Sequence, residues 1–392
     1  MPARILLLVC FVVLGAHECR AAAPAAPSAP LPPPLGEMIA LGTDAPLPPE
    51  APAQPAQPAQ PAQPAAAPVE PAKPLANDEI IPDERVCGHA ECTDAGSCGW
   101  CECGPCWRVG ADALFLWRNN ASLRQPVVVD SNARDFTLLS THDLKFDAAA
   151  GPRLTLDYAA GDGAGWNLVY FGLHHWAASA TVAGNANLSL PGDLGLQSSD
   201  FNMADNMRLD YTSTLHNAEV NYVWPLDSVS LLAGFRYVHL DEQFNIEATN
   251  DITGTSDYRI GTRNELFGGQ IGGLLQGGSG CLEWSVTGKA GLFDNDARQA
   301  TLLGDLNNTF TVRDVNVQGN RAAFVGELDF LATCHLTSWL AVRGGYNLLW
   351  IEGVALAPDQ LDFTTTSTAG TALHSGGGVF MHGANVGLEA QW

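Results

Sequence analysis

The sequence predicts an all-β fold, a closed antiparallel transmembrane β-barrel of about ten strands, or twelve if a further hairpin lies inside one of the long connections. Between residues 107 and 392, segments alternate apolar and polar residues with a period of two, which is typical of strands with one apolar face. Aromatic residues recur ten positions apart on the apolar face, close to the height of a lipid-facing band. Long and short connections alternate, as in outer-membrane barrels.

The N-terminus predicts export. Arg4 precedes an apolar run over residues 5–15, and small residues follow, so we expect a signal peptide over residues 1–23. Of 19 basic and 42 acidic residues, Arg4, Arg20 and Glu18 leave with it, and the net charge becomes about −24. Such a surface repels nucleic acid, which we therefore exclude as a partner. No later apolar run reaches the roughly 18 to 20 residues of a membrane helix.

Residues 24–76 are rich in proline and alanine and contain the repeat "AQPAQPAQPAQPA". With few side chains larger than alanine, this segment cannot bury a core, and proline favours an extended polyproline conformation. The composition predicts a disordered periplasmic spacer. The alternative is a tether that reaches the cell wall or a periplasmic protein.

Residues 77–106 form a Cys-rich periplasmic segment. Cys98/Cys101 and Cys103/Cys106 have zinc-knuckle spacing and His89 could be a ligand, but the two pairs lie too close together to wrap an ion. In an exported chain we favour disulfides, with their connectivity open, and predict no metal site and no cofactor. Two further cysteines, at the periplasmic ends of neighbouring strands, predict a cross-strand disulfide. The candidate disulfide cysteines are Cys87, Cys92, Cys98, Cys101, Cys103, Cys106, Cys281 and Cys334.

The predicted barrel covers residues 107–392. Strands are expected near 107–118, 151–158, 166–176, 211–224, 229–240, 263–275, 281–293, 321–335, 338–350 and 379–392. Lipid offers no hydrogen bonds, so both edges of every strand must be paired and the sheet must close. The candidate aromatic girdle is Trp107, Trp117, Trp166, Trp176, Phe380 and Trp392. The last strand, ending in Trp392, also predicts recognition by the barrel-insertion machinery.

The polar faces of these strands carry charges of both signs. The candidate lumen residues are Arg108, Asp112, Arg153, Asp157, Glu283, Lys289, Glu327, Asp329, Arg343 and Glu389, with Glu219 and Arg236 also expected to point inward. In a narrow barrel, mixed charges more often form interlocking salt bridges than a conduction path, because open channels need about sixteen strands. If a pore exists, the acidic excess predicts cation preference.

Histidines fall at the predicted outer ends of two strands. His174 and His175 end one of them, and His239 ends the other beside Asp241 and Glu242. Histidine and carboxylate together could support acid–base hydrolysis. Histidine is also at home in the membrane interface, and the chain has no nucleophile elbow, zinc-protease motif or phosphate loop. We therefore predict no catalytic residues.

Four stretches together resemble the planctomycetal putative beta-barrel porin family: "VGADALFLW" at 109–117, "GPRLTLDY" at 151–158, "GYNLLWIEGVALAPDQLD" at 345–362 and "HGANVGLEAQW" at 382–392. The resemblance spans roughly residues 107–392 and implies an outer-membrane barrel in contact with lipid. The leading expectation is a porin-like channel for passive passage of small solutes. The alternatives are a structural or tethering barrel without an open pore and, third, a hydrolase at the outer rim.

Overall fold

The computed structural model describes residues 106–161, 163–226 and 229–392. Twelve strands form one antiparallel sheet, and ten of them close into a barrel. The barrel strands are β1 (Cys106–Arg118), β4 (Ala149–Ala159), β5 (Gly165–Ser189), β6 (Ala204–Pro225), β7 (Val229–Asn250), β8 (Gly254–Ser279), β9 (Leu282–Asp305), β10 (Phe310–His335), β11 (Leu340–Val354) and β12 (Gly377–Gln391). The predicted fold class is confirmed.

The ring closes between the first and last strands. Arg108 pairs with Gln391 and Arg118 with Met381, so β1 and β12 are in register over the whole of β1 beyond Trp107. The two extra strands, β2 (Pro126–Asp130) and β3 (Thr137–Ser140), form the hairpin that we allowed for between residues 119 and 150. They do not enter the ring, because the hairpin is joined to it where β2 pairs with the far end of β5, at Val129 and Asp130.

The barrel wall is much taller on one side. Strands β5 to β10 contain 22 to 26 residues, whereas β1, β4, β11 and β12 contain 11 to 15. The expectation of long loops at 177–210, 241–262 and 294–320 was therefore wrong. Most of these residues extend the strands, and the turns that remain at 251–253 and 306–309 are short.

The tall strands invert their polarity along their length. In β7, Leu231 and Phe235 are exposed on the outer face and Arg236 is buried inside, as expected next to lipid. Further along the same strand, Phe244 and Ile246 are buried inside the ring. The tall part of the wall is thus built like a water-soluble barrel standing on a membrane-type base.

The two ends of the barrel differ. We call the end with the short connections at 160–164, 226–228, 280–281 and 336–339 the turn end, and the opposite end the loop end. Strand β1 begins and strand β12 ends at the turn end. At the loop end, the connection 355–376 folds partly into the ring: residues 355–361 and 369–370 are buried, and Ala357–Gln360 form one 3₁₀ turn. None of the helical turns in the described ranges is long and apolar enough to cross a membrane.

Candidate functional site

The interior next to the turn end is a layer of buried ion pairs. Arg343 donates to Asp112 at 2.7 Å and contacts Glu389 at 3.1 Å. Lys289 lies between Glu219 at 2.9 Å and Glu327 at 3.0 Å. Two further ion pairs join Arg236 to Glu327 and Arg153 to Asp329. In this layer each basic group is shared between, or matched to, carboxylates from other strands, so the charges tie the wall together across the lumen.

The ten candidate lumen residues all belong to this region. Asp112, Arg153, Lys289, Glu327, Asp329, Arg343 and Glu389 are buried, and Arg108, Asp157 and Glu283 are partly buried on the turn-end side. Nine of the ten, all except Glu327, line a cavity of about 340 Å³. The cavity also contacts Gln276, Gly280 and Trp284 near a turn-end connection, which places it between the charged layer and the turn end.

Above the charged layer the interior is mainly apolar, with buried amides such as Asn264 and Asn295 among the apolar side chains. Every one of the ten barrel strands contributes a side chain to one buried hydrophobic cluster. Leu173, Leu215, Leu240, Leu266 and Ile351 have no exposed surface at all. Other members close to this level are Leu114, Leu116, Ala149, Phe171, Val238, Phe293, Val325, Leu349, Val379 and Met381. Side chains therefore fill the cross-section of the barrel, as expected for a narrow ring.

A single buried ion pair lies within the apolar part. The side chains of Arg118 and Glu242 are fully buried and form a salt bridge. Tyr211 donates its hydroxyl proton to Glu242 Oε2 at 2.8 Å and accepts a hydrogen bond from Arg118 Nη2 at 3.1 Å. The backbone N–H of Ala357 also donates to Glu242 Oε2, at 2.9 Å. The pair therefore connects β1, β6 and β7 to the inward-folded segment.

The segment 355–376 is held to the wall by paired polar groups. Asn264 bonds the backbone of Ala355 in both directions, at 2.9 and 2.7 Å. Tyr258 donates to the carbonyl of Asp362 at 3.1 Å, and Arg313 donates to the same carbonyl at 2.8 Å. Partial burial would raise the pKa of Asp362, yet hydrogen bonds from Thr364 and Gly370 hold it below its usual value. The segment is an integral part of the loop end.

Five of the six candidate girdle residues lie on the outer face of the barrel, and one does not. Trp107, Trp117, Trp166 and Trp392 point outward with 36 to 62% of their surface exposed, and Phe380 lies on the outer face against Trp350. The placement of Trp176 on the lipid face was wrong, because Trp176 is fully buried and donates to the carbonyl of Leu116 at 3.0 Å. A β-bulge is the cause.

That bulge interrupts the pairing of β5 with β6 between Leu173 and Trp176. His175 has a φ of 67°, in the left-handed region that non-glycine residues rarely adopt. The extra residue reverses the alternation that follows it, and the indole turns from the lipid face into the core. Period-two counting along the sequence cannot anticipate such a reversal.

The structure separates Glu242 from the other groups of the hydrolase hypothesis. His239 Nε2 lies 3.1 Å from Asp241 Oδ2 on the outer face of the wall. Glu242, the next residue, points to the opposite face and forms a salt bridge with Arg118. His174, His175, His239 and Asp241 lie on the outward surface of the strands.

Two of the candidate disulfide cysteines lie together at the turn end. Cys281 and Cys334 have their Sγ atoms 3.9 Å apart, both as free thiols. Cys106 is the first residue of β1, and Cys87, Cys92, Cys98, Cys101 and Cys103 lie outside the described residues. The predicted 281–334 disulfide stays a prediction.

We expect oxidation to join Cys281 to Cys334, because the two sulfurs are already in contact across neighbouring strands and exported chains meet oxidants. Peptide mass analysis after alkylation without reductant checks this: Cys281 and Cys334 should both lack the alkyl group that they take up in the reduced protein. Peptide mapping should then recover the two cysteines in one cross-linked peptide. Alkylation of both residues in the unreduced protein would contradict it.

The closed ring, the apolar outer belt between aromatic residues and the charged interior together define a β-barrel of the outer-membrane type. Within that class, the chain belongs to the family of putative beta barrel porin-7 (BBP7), whose model matches residues 160–392. The resemblance to a beta-barrel porin family stated from the sequence is thereby confirmed. The match begins between β4 and β5 and therefore includes eight strands, β5 to β12, together with the inward-folded segment.

Three solved structures are distantly similar to this chain. The outer membrane protease OmpT from Escherichia coli is 8% identical, with 76% of this chain and 99% of that chain covered and a TM-score of 0.36. A Pseudomonas aeruginosa FadL homologue is 9% identical, with 74% and 90% covered and a TM-score of 0.27. The Ralstonia pickettii toluene transporter TbuX is 9% identical, with 74% and 89% covered and a TM-score of 0.27. No curated protein matches the chain.

Proposed function

We propose that this protein is an outer-membrane barrel that is closed in this conformation and serves as an anchor for its N-terminal periplasmic segments. One observation carries the proposal: all ten strands contribute to an apolar cluster that fills the interior above the charged layer. Passive passage of a solute would require that cluster to separate. The role of the barrel would then be to hold the N-terminal segments at the membrane.

The position of the chain termini supports an anchoring role. Short turns of bacterial outer-membrane barrels face the periplasm, so the turn end is assigned to the periplasmic side. Residues 24–76 and the Cys-rich segment precede β1 at that end. An extended polyproline chain of 53 residues reaches about 160 Å, at roughly 3.1 Å per residue. That length is sufficient to contact a cell-wall polymer or a periplasmic protein.

A gated channel is the second candidate function. The cavity of about 340 Å³ gives the turn-end half a polar compartment, as a porin-like channel would have on one side of its gate. In this case the apolar cluster and the segment 355–376 would be the gate. Conductance would then appear only after a stimulus that displaces them.

Electrical recording of the refolded full chain in planar bilayers distinguishes a closed barrel from an open porin. We expect no stable current steps from protein whose folding is verified by its shifted mobility in unheated gels. Steps that appear without any stimulus would support the porin-like channel instead. Steps that appear only after a change of pH or voltage would support the gated channel.

A further inference from the structure

Three histidines form a row on the outer face of the barrel, apart from the interior just described. His216 of β6 lies directly opposite His239 of β7, with ring centroids 6.2 Å apart. The ring of His174 in β5 packs edge-on against His216, with centroids 4.7 Å apart. Imidazoles from three neighbouring strands thus meet on one outward surface.

The bulge in β5 helps to bring the third histidine to the row. Regular pairing ends at Leu173 opposite Leu215 and resumes at Trp176 opposite Ser213, and His174 and His175 occupy the interruption. The left-handed conformation at His175 is an unfavourable one for a residue with a side chain. It sends Trp176 into the core and leaves His174 beside His216.

Hydrogen bonds hold one ring nitrogen of His216 and one of His239. The Tyr170 hydroxyl lies 3.1 Å from His216 Nδ1, which leaves Nε2 available. Asp241 Oδ2 lies 3.1 Å from His239 Nε2, and Arg263 Nε donates to Asp241 Oδ1 at 3.2 Å. His239 Nδ1 faces the Tyr237 hydroxyl at 3.5 Å, a long hydrogen bond that a bound ion would have to replace. A carboxylate that orients a histidine through its second nitrogen is the usual outer partner of a metal-bound imidazole.

The charges around the row favour a cation. Glu265 is directly opposite His239 in β8, with Oε1 3.9 Å from His239 Nδ1. The nearby arginines, Arg263 and Arg298, pair with Asp241 and Asp296. The carboxylate of Glu265 therefore adds negative charge next to Nδ1 of His239, where it would attract a bound metal ion.

We propose that His174, His216 and His239 form a surface site for a divalent transition-metal ion of the kind that imidazole binds well, such as Zn²⁺, Cu²⁺ or Ni²⁺. In the described part of the chain no three such side chains already converge on one point in this conformation. His174 is the exposed member of the row. Rotation of its side chain about an exposed single bond brings the third nitrogen to the ion.

The site is independent of the anchoring role and concerns the outer surface of the wall. Its position, one or two residues beyond the outward aromatic residues Tyr237 and Phe267, places the ion at the upper edge of the apolar belt. An ion bound there would cross-link β5, β6 and β7 at the level where the bulge interrupts the pairing of β5 with β6.

Titration of the refolded full chain with Zn²⁺, after removal of any affinity tag and chelator, tests the site. We expect a saturable ion per barrel by calorimetry, with affinity reduced at least tenfold in His216→Asn and in His239→Asn. Asp241→Asn should weaken binding by about 10- to 100-fold, as loss of an outer-shell partner does. Cu²⁺ bound at the site should show nitrogen couplings in its electron paramagnetic resonance spectrum.

His382→Asn is the matched control. His382 also faces outward and is also hydrogen-bonded to a tyrosine, since Tyr346 Oη lies 2.7 Å from its Nδ1. Its ring neighbours, however, are Trp117, Tyr346 and Phe380. This variant should bind Zn²⁺ as the unchanged protein does. Absence of saturable binding would overturn the proposal. So would binding whose affinity is the same in His216→Asn, because the ion would then occupy another part of the chain.

Discussion

Replacement of Arg118 by methionine is expected to lower the free energy of unfolding by about 3 to 5 kcal/mol, because it leaves the Glu242 carboxylate buried without its counter-charge. Tyr211 and the N–H of Ala357 would still donate to that carboxylate, but neither carries a positive charge. Urea titration of the refolded protein in detergent, followed by circular dichroism, measures the change.

Two further variants interpret that result. Arg118→Met combined with Glu242→Gln removes both charges and retains an oxygen acceptor for Tyr211 and Ala357, so most of the lost stability should return. Arg208→Met removes an arginine that pairs with Asp210 on the exposed outer face of the same wall. It should leave the unfolding midpoint almost unchanged. Equal losses in Arg118→Met and Arg208→Met would contradict the account of a packed interior.

Replacement of Lys289 by methionine is expected to have an effect of similar size, about 3 to 5 kcal/mol, because this ammonium group lies between two buried carboxylates. Glu327 keeps Arg236 as a partner, but Glu219 keeps only neutral amide donors such as Gln270. The same urea titration applies. Addition of Glu219→Gln should recover part of the loss.

Unchanged stability in Lys289→Met would show that water reaches these carboxylates and replaces the lysine. In that case the charged layer would be a hydrated lumen, and the turn-end half of the barrel would not be closed to water. The size of the effect therefore reports on the dryness of the interior as well as on the ion pairs.

The barrel itself was predictable because each strand next to lipid obeys one rule. The outer face must be apolar, so the alternation around Trp107 and Trp117 reveals the strand, its direction and its height together. The same rule placed Asp112, Lys289 and Arg343 inside, where the structure pairs them. Short turns at the periplasmic end then gave the strand order.

The tall part of the wall was not predicted because its strands have their apolar face inside the barrel and their polar face outside. Met207, Leu209, Phe244 and Ile246 still alternate with polar residues, but their apolar face is the inner one. A strand that leaves the membrane keeps its period of two and exchanges its faces, and we interpreted the exchange as the end of the strand. Continued alternation across 204–211 and 243–250 was the signal that could have revealed it.

The histidine row was partly available in the sequence. A short connection between two antiparallel strands pairs residues at equal distances on its two sides, and His216 and His239 satisfy that relation. His174 was not available in this way, because its place depends on the bulge at His175. The inward fold of residues 355–376 also depends on distant partners such as Asn264 and Glu242, which no local pattern indicates.

The current carried by the refolded full chain in a planar bilayer tests the central claim most directly, since a filled interior has no continuous path for ions. The matched sample is the Lys289→Met variant, recorded under the same conditions to show whether a weakened charged layer begins to leak. The account predicts a flat baseline for the unchanged protein at every moderate voltage. Long-lived, uniform current steps from that protein without any stimulus would contradict it.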